Sequence, residues 1–180
     1  MRIQPVTPGT RPELKEQEAQ ILAQRGRISP LYQALLNSPP IAHGWEQMLS
    51  AVRNRSSLDD ALKELVILRV AVLNNAPYEF EAHAPIALKS GVTQEAIDQL
   101  KKTPFESNHA SINTSAHLYT AKQVLALKLT DTMTKEITVG DELYGQLKEH
   151  FNDQQQVDLV ATVAAYNMVS RFLEALQIGH

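Results

Sequence analysis

The longest apolar segment of the chain covers residues 65–73, where every residue except Arg69 is apolar. Apolar residues at nearly every position, rather than at every third or fourth, are typical of a helix that is covered on most sides. Ser57 lies upstream and can cap the free amides of a first turn, and Asp59 and Asp60 add acidic groups that favour the positive end of a helix. The pattern therefore predicts a central buried helix that begins near Ser57.

A second helix is predicted after the break at residues 74–77, starting at Pro77 and ending at Gly91. Proline in a first helical turn costs no hydrogen bond. Glycine directly after a helix takes the left-handed conformation that ends it. Pro85 lies inside the same segment and leaves the carbonyl of Glu81 without its usual donor, so we expect a kink just after His83.

Ionisable residues lie within these two apolar segments. Glu79 and His83 are four residues apart and share one face of the second helix. A carboxylate beside an imidazole fixes its tautomer and raises its pKa, which suits a general acid or base. Glu64 and Arg69 belong to the first helix, where burial requires a partner for each. Two interpretations remain open for both residues: a structural ion pair, or a role in a functional site, which for Arg69 is the binding of a substrate carboxylate.

The remaining chain also has helical periodicity, and no sustained alternation of the kind that predicts strands. We therefore predict an all-α fold of seven to nine helices, in which residues 1–180 form a single domain and residues 1–55 are an N-terminal helical extension. Residues 1–11 are rich in proline and are expected to be extended. The further predicted helices cover residues 12–24, 31–36, 41–52, 94–102, 116–133, 142–150 and 153–176.

Three more side chains are candidates for contact with a ligand. Trp45 is either a core residue or a substrate contact, and the large area that tryptophan buries favours the core. Asn167 and Arg171 are four residues apart on the last predicted helix. Arg171 either pairs with Glu174 or another acid, or binds a substrate carboxylate with its planar guanidinium. Asn167 either caps a carbonyl or lies in the same site.

A long polar segment at residues 103–115 predicts a loop, because serine, asparagine and threonine dominate it. Loops of this length in a small domain often form a lid or the wall of a site. Phe105 and His109 are its candidates for ligand contact, and a surface loop without that role is the alternative.

Composition excludes several classes of function. The net charge of −3 does not indicate a nucleic-acid surface, and no uninterrupted apolar run is long enough to span a bilayer. The first residues lack the apolar core of a signal peptide, so the cytoplasm is the expected location. The chain has no cysteine, which excludes thiol peroxidase and disulfide-exchange chemistry. We expect no metal, because the residue three before His83 is Phe80 and not the glutamate that di-iron bundles use.

Three sequence blocks together resemble the carboxymuconolactone decarboxylase family, which includes the alkylhydroperoxidase AhpD-like proteins. They are E-L-x-I-L-R at residues 64–69, Y-E-F-x-x-H at residues 78–83 and A-P-I-A-x-x-x-G-V at residues 84–92. The peroxidase branch of that family has a C-x-x-C pair that ends four residues before the histidine. Ala76 and Glu79 occupy those two positions here, so the chain is similar to the branch without thiols.

The resemblance implies an AhpD-like helical bundle that assembles as a trimer or a hexamer. It also implies a cofactor-free lyase or isomerase that acts on a small carboxylated lactone or ring compound. The alternative is a non-catalytic oligomer that binds such a ligand on the same scaffold. In the catalytic interpretation His83 donates or accepts the proton, and Glu64 orients His83 or shares its proton. Tyr78 and Glu79 line the site, where Glu79 is a candidate second acid or base. Arg69 or Arg171 holds the substrate carboxylate.

Overall fold

The computed structural model describes residues 1–102 and 118–179, and every regular element in them is helical. The all-α prediction is therefore confirmed. A short 3₁₀ helix, Pro12–Leu14, precedes nine α-helices. These are α1 (Lys15–Arg25), α2 (Pro30–Leu35), α3 (Pro39–Asn54), α4 (Asp60–Leu73), α5 (Pro77–Lys89), α6 (Gln94–Leu100), α7 (Ala121–Lys135), α8 (Asp141–His150) and α9 (Asp153–Leu176). The predicted loop at residues 103–115, with Phe105 and His109, lies outside the described residues.

The chain forms two compact units. The first consists of Met1–Arg55 with Phe172–His180, and the second consists of Ser56–Arg171. Helix α9 supplies residues to both units, since its last turn belongs to the first. All of α4 and α5, the two helices that carry the candidate acid–base residues, belongs to the second unit.

The N-terminal segment of the first unit is extended and packs against that unit. Val6 is buried and donates its backbone N–H to the carbonyl of Gln33, and Arg2 donates its N–H to the carbonyl of Leu176. Trp45 on α3 is buried as well, and its ring packs at 5.0 Å from the ring of Phe172. In the structure Trp45 is thus a packed residue of the first unit.

A polar cluster is buried in the same unit around Glu46. Its carboxylate accepts hydrogen bonds from Arg25 Nε at 3.0 Å and Ser50 Oγ at 2.8 Å, and another from the hydroxyl of Tyr32. Burial and the bond to Glu46 raise the pKa of Tyr32, so this phenol stays neutral. With its carboxylate satisfied in this way, Glu46 can be buried between α1, α2 and α3 without an unpaired charge.

Helix α4 is the buried centre of the second unit, where it packs against α5, α6 and α7. Each residue from 62 to 71 is buried, as the apolar pattern predicted. The predicted cap was wrong: Asp59, not Ser57, accepts the first-turn N–H, from Leu62 at 2.8 Å. Ser57 instead donates its hydroxyl and its N–H to the carboxylate of Asp158.

Helix α5 begins and ends where its sequence predicted. Pro77 is its first residue, and Gly91 follows the C-cap with φ of +92°. The helix continues through Pro85 to Lys89. The N–H of Val92 donates to the carbonyl of Ala87 at 3.0 Å, which turns the chain back toward α6.

Helix α7 begins later than the predicted residue 116. Thr120 and Gln123 form a capping box, in which each side chain accepts the backbone N–H of the other residue. The preceding Tyr119 is not helical, and its buried hydroxyl donates to the carbonyl of Ala96 at 2.6 Å. The capping box therefore starts α7 at Ala121.

Helix α9 is the longest described helix, and Asn152 caps it by accepting the N–H of Gln155 at 2.9 Å. Of the described helices, only α9 has the length and composition to cross a membrane, with a mean hydropathy of 1.2 over its most apolar window. The core helix of a globular domain passes the same test. One face of α9 is part of the hydrophobic core, and its buried residues are Leu159, Val163, Tyr166, Val169 and Leu173.

Candidate active site

His83 lies between two carboxylates that come from different helices. Its Nδ1 is 2.7 Å from Oε2 of Glu64 on α4, and its Nε2 is 3.2 Å from Oε1 of Glu79 on α5. The three residues are only 6%, 4% and 5% exposed, in the order Glu64, His83, Glu79. We call this arrangement the Glu64–His83–Glu79 triad.

The two carboxylates of the triad favour the charged form of the imidazole. Burial alone lowers the pKa of His83, but the hydrogen bonds and negative charges of Glu64 and Glu79 outweigh it, so that pKa is raised above its usual value. With the imidazole protonated, one positive and two negative charges leave the triad with one net negative charge. The site therefore combines a proton donor with an anionic environment.

One aromatic ring packs against the triad, and a second aromatic residue is adjacent to it in the sequence. The ring of Tyr166 on α9 meets the imidazole edge-on, with 5.2 Å between ring centroids and 89° between ring planes. Tyr166 is fully buried and lies in the second unit with the triad. Tyr78 is half-buried and directly precedes Glu79 in the first turn of α5. Packing of this kind restricts the rotation of the imidazole and excludes water from it.

Arg69 is fully buried and holds other parts of the second unit together. Its Nε and one terminal nitrogen form a bidentate pair with Asp131 on α7, at 2.6 Å each. The other terminal nitrogen donates to the carbonyls of Leu100 at 2.7 Å and Lys102 at 3.0 Å. These bonds are those of a structural ion pair, the first of the two interpretations that the sequence left open.

Arg171 and Asn167 occupy a more exposed part of α9. Arg171 is exposed and donates to both oxygens of Asn167, its backbone carbonyl and its side-chain Oδ1. Asn167 in turn donates to the carbonyl of Val163 and accepts from Asn74 Nδ2 at 3.0 Å. Five residues separate Arg171 from Tyr166, which places them about 140° apart around the helix. Arg171 thus leaves α9 on a different side from the residue that touches His83.

Sequence reasoning found the three triad residues but not Tyr166 or Asp131. Both come from helices distant in sequence, and nothing local to either residue distinguishes it from ordinary core or surface positions. In the part of the chain that the structure describes, no group of three or more His, Cys, Asp or Glu side chains is placed to hold a metal ion.

Residues 39–101 match the model of the carboxymuconolactone decarboxylase family. This interval contains the whole triad. Among known sequences, the chain is similar to the uncharacterized protein YdfG of Bacillus subtilis (strain 168). The identity is 29% over 124 residues, which cover 68% of this chain and 78% of that protein.

Solved structures share the fold. A peroxidase-related protein from Ralstonia eutropha JMP134, described as an alkylhydroperoxidase AhpD core, superposes with a TM-score of 0.79 at 15% identity, covering 98% of this chain and 90% of its own. The debrominase Bmp8, in a cysteine-to-alanine variant bound to 2,3,4-tribromopyrrole, gives a TM-score of 0.76 at 13% identity, covering 99% and 90%.

At such identities the structural likeness shows the fold alone, and that fold is AhpD-like, as the resemblance implied. The sequence match adds a likeness to the carboxymuconolactone decarboxylase family over the segment that carries Glu64, Glu79 and His83. Residues 39–101 of this chain are thus similar to the carboxymuconolactone decarboxylase family, its fold is AhpD-like, and its sequence contains no cysteine.

Proposed function

We propose that this protein is either a cofactor-free lyase of the decarboxylase type or an isomerase. In both cases it acts on a small carboxylated lactone or ring compound by proton transfer at His83. The observation that carries the proposal is the buried imidazole held between two carboxylates. A small-molecule role on this scaffold is supported by the family match and by the debrominase with the same fold.

The three triad residues have different roles in this proposal. Glu64 accepts the Nδ1 proton of His83 and fixes the orientation of the ring. The second imidazole proton, on Nε2, points at Glu79 and is the one that is exchanged with the substrate, either directly or through the Glu79 carboxylate. Tyr78, next to Glu79, lines the approach to the triad.

Decarboxylation at this site proceeds in two steps. The bond between the substrate carbon and its carboxylate breaks, CO₂ leaves, and the electron pair stays on the substrate as a dienolate or carbanion. That carbon then takes the proton from the His83 imidazolium, and the neutral imidazole regains a proton from water. An isomerase uses the same groups to remove a proton from one carbon and return it to another.

The net charge of the triad favours the first step. A substrate carboxylate close to one net negative charge is disfavoured. Loss of CO₂ moves that negative charge from the carboxylate onto the substrate carbon framework, where it is delocalised and is then neutralised by the proton from His83. Arg69 is paired with Asp131, and Arg171 leaves α9 on a different side from Tyr166. In this proposal neither cation therefore neutralises the net negative charge of the triad.

The test is an incubation of the purified protein with a panel of carboxylated lactones and β-keto acids, with CO₂ release and products followed by NMR. His83→Gln removes the titrating ring while keeping a polar side chain, and we expect it to lower turnover at least about 10²-fold. The matched control is His43→Gln, which changes an exposed histidine of α3 and should retain full activity.

Retained turnover in His83→Gln would move the catalytic centre elsewhere. Binding of these acids by the parent protein without any product would favour the alternative, a ligand-binding oligomer on the same scaffold.

A further inference from the structure

The outer face of α9 carries a continuous apolar stripe. It consists of Val157, Val160, Ala161, Ala164 and Met168, spaced three or four residues apart, so all lie on one side of the helix. Val157 is 67% exposed and Met168 is 40% exposed, Ala164 is exposed, and the other two are half-buried. We call these five residues the α9 stripe.

The stripe makes α9 apolar on two opposite sides. The inner side packs into the second unit through residues such as Val163 and Tyr166, yet only 44% of the most apolar window of the helix is buried. A helix that is apolar on two opposite sides is normally covered on both of them. A contiguous exposed apolar surface of this kind marks a site of interaction.

Charged residues at the two ends of the stripe indicate what covers it. Asp153 lies at the N-terminal end and Arg171 at the C-terminal end, and both are exposed. Eighteen residues separate them, which is five helical turns, so they lie on the same face as the stripe. The surface therefore has a negative end, an apolar centre and a positive end.

We propose that the α9 stripe docks against the same stripe of a second copy of this chain, with the two helices antiparallel across a two-fold axis. This arrangement sets Val157 against Met168 of the partner subunit and brings Arg171 close to Asp153 of the partner subunit. Ala161 and Ala164 lie at the centre, where their small side chains let the helices approach closely. A parallel arrangement instead sets each charge against its own kind.

A lipid surface fits the stripe less well than a second copy. Helices that lie on anionic membranes carry lysine and arginine along the polar face beside the apolar one. Here the exposed charged residue beyond the N-terminal end of the α9 stripe is Asp153, which anionic headgroups repel. Self-complementarity of charge also fits a two-fold contact, because each interaction then occurs twice.

A two-fold contact also bears on the assembly that the family resemblance implies. An isologous interface pairs copies by two, so it occurs in a dimer or between the two halves of a hexamer, and not in an isolated trimer. The α9 stripe therefore favours the hexamer over the trimer, or a dimer in place of both.

Cysteine cross-linking tests the contact directly, because the natural chain has no cysteine and gives no background. Ala161→Cys/Ala164→Cys places thiols on both sides of the predicted axis, and mild oxidation should convert most of the protein to a covalent dimer on a non-reducing gel. Leu88→Cys, at an exposed apolar position on α5, is the matched control and should stay monomeric on the gel. Equal cross-linking in both, or in neither, would overturn the proposal.

A charge exchange tests the antiparallel orientation by light scattering on the untreated protein. Arg171→Asp and Asp153→Arg each create like charges across the axis and should weaken association by at least about tenfold. The double variant restores opposite charges and should recover the parental association. A parent that is monomeric at about 100 µM, single variants that associate normally, or a monomeric parent that binds lipid vesicles would each contradict the proposal.

Discussion

His83 shows how opposing effects meet at a single side chain. Burial lowers the pKa of an imidazole, whereas Glu64 at 2.7 Å and Glu79 at 3.2 Å raise it, and the two carboxylates prevail. A histidine whose charged form is favoured in this way contributes more to the stability of the fold when it is protonated than when it is neutral. Its titration must therefore be visible in the stability of the protein.

We expect stability to fall as pH rises through the pKa of the folded-state His83. Because that pKa is raised, the stabilisation is fully present below the unfolded value of about 6.5 and is lost above the folded value. Urea unfolding from about pH 6 to about pH 9 should show a decline in the parent that is absent or smaller in His83→Gln. His43→Gln should keep the parental slope, and equal slopes in parent and His83→Gln would contradict this account.

Arg69 is the second residue whose role depends on its partners. Its guanidinium is fully buried, forms two hydrogen bonds with Asp131 and donates to the carbonyls of Leu100 and Lys102. We expect Arg69→Met to lower the free energy of unfolding by about 3 kcal/mol, because Asp131 loses its buried partner. Lys101→Met breaks an exposed pair with Asp98 and should leave the denaturation midpoint unchanged. An Arg69→Met protein as stable as the parent would show that the pair of Arg69 and Asp131 makes no net contribution to the free energy of unfolding.

At the scale of elements, the start of α4 depends on one side chain. Asp59 accepts the N–H of Leu62 at 2.8 Å and lies at the positive end of the helix. Asp59→Ala should therefore lower stability by about 1 kcal/mol, measured by chemical denaturation. Glu81→Ala, on the exposed side of α5, is the control and should change stability by less than about 0.5 kcal/mol. A loss equal to that of the control would mean that water replaces the cap at no cost.

At the scale of the whole molecule, association through the α9 stripe should be visible as a stability that depends on concentration. A second copy that binds only the folded state raises the melting temperature by mass action. The melting temperature of the parent should rise with protein concentration, and that of Met168→Glu should not, because a charge then lies in the apolar contact. The melting temperature of Leu88→Glu should depend on protein concentration as that of the parent does. A parental melting temperature that is independent of protein concentration would argue against assembly.

Much of the fold was accessible from local patterns. The run of apolar residues at 65–73 predicted the buried α4, and Pro77 and Gly91 predicted the ends of α5. Glu79 and His83 could be paired because four-residue spacing in a helix brings side chains together without any tertiary contact. Predictions failed where two neighbouring residues could do the same task, as Ser57 and Asp59 could at the start of α4.

The sequence by itself determined the all-α fold and the helices that carry the acid–base residues, because these follow from local periodicity and composition. Only the tertiary structure decided which distant groups meet. Nineteen positions separate Glu64 from His83, 62 separate Arg69 from Asp131, and 101 separate Ser57 from Asp158. Such pairs depend on how α4 packs against α5 and α7, and on where the segment before α4 meets α9. A buried charge accepts whichever partner that packing brings within hydrogen-bond distance.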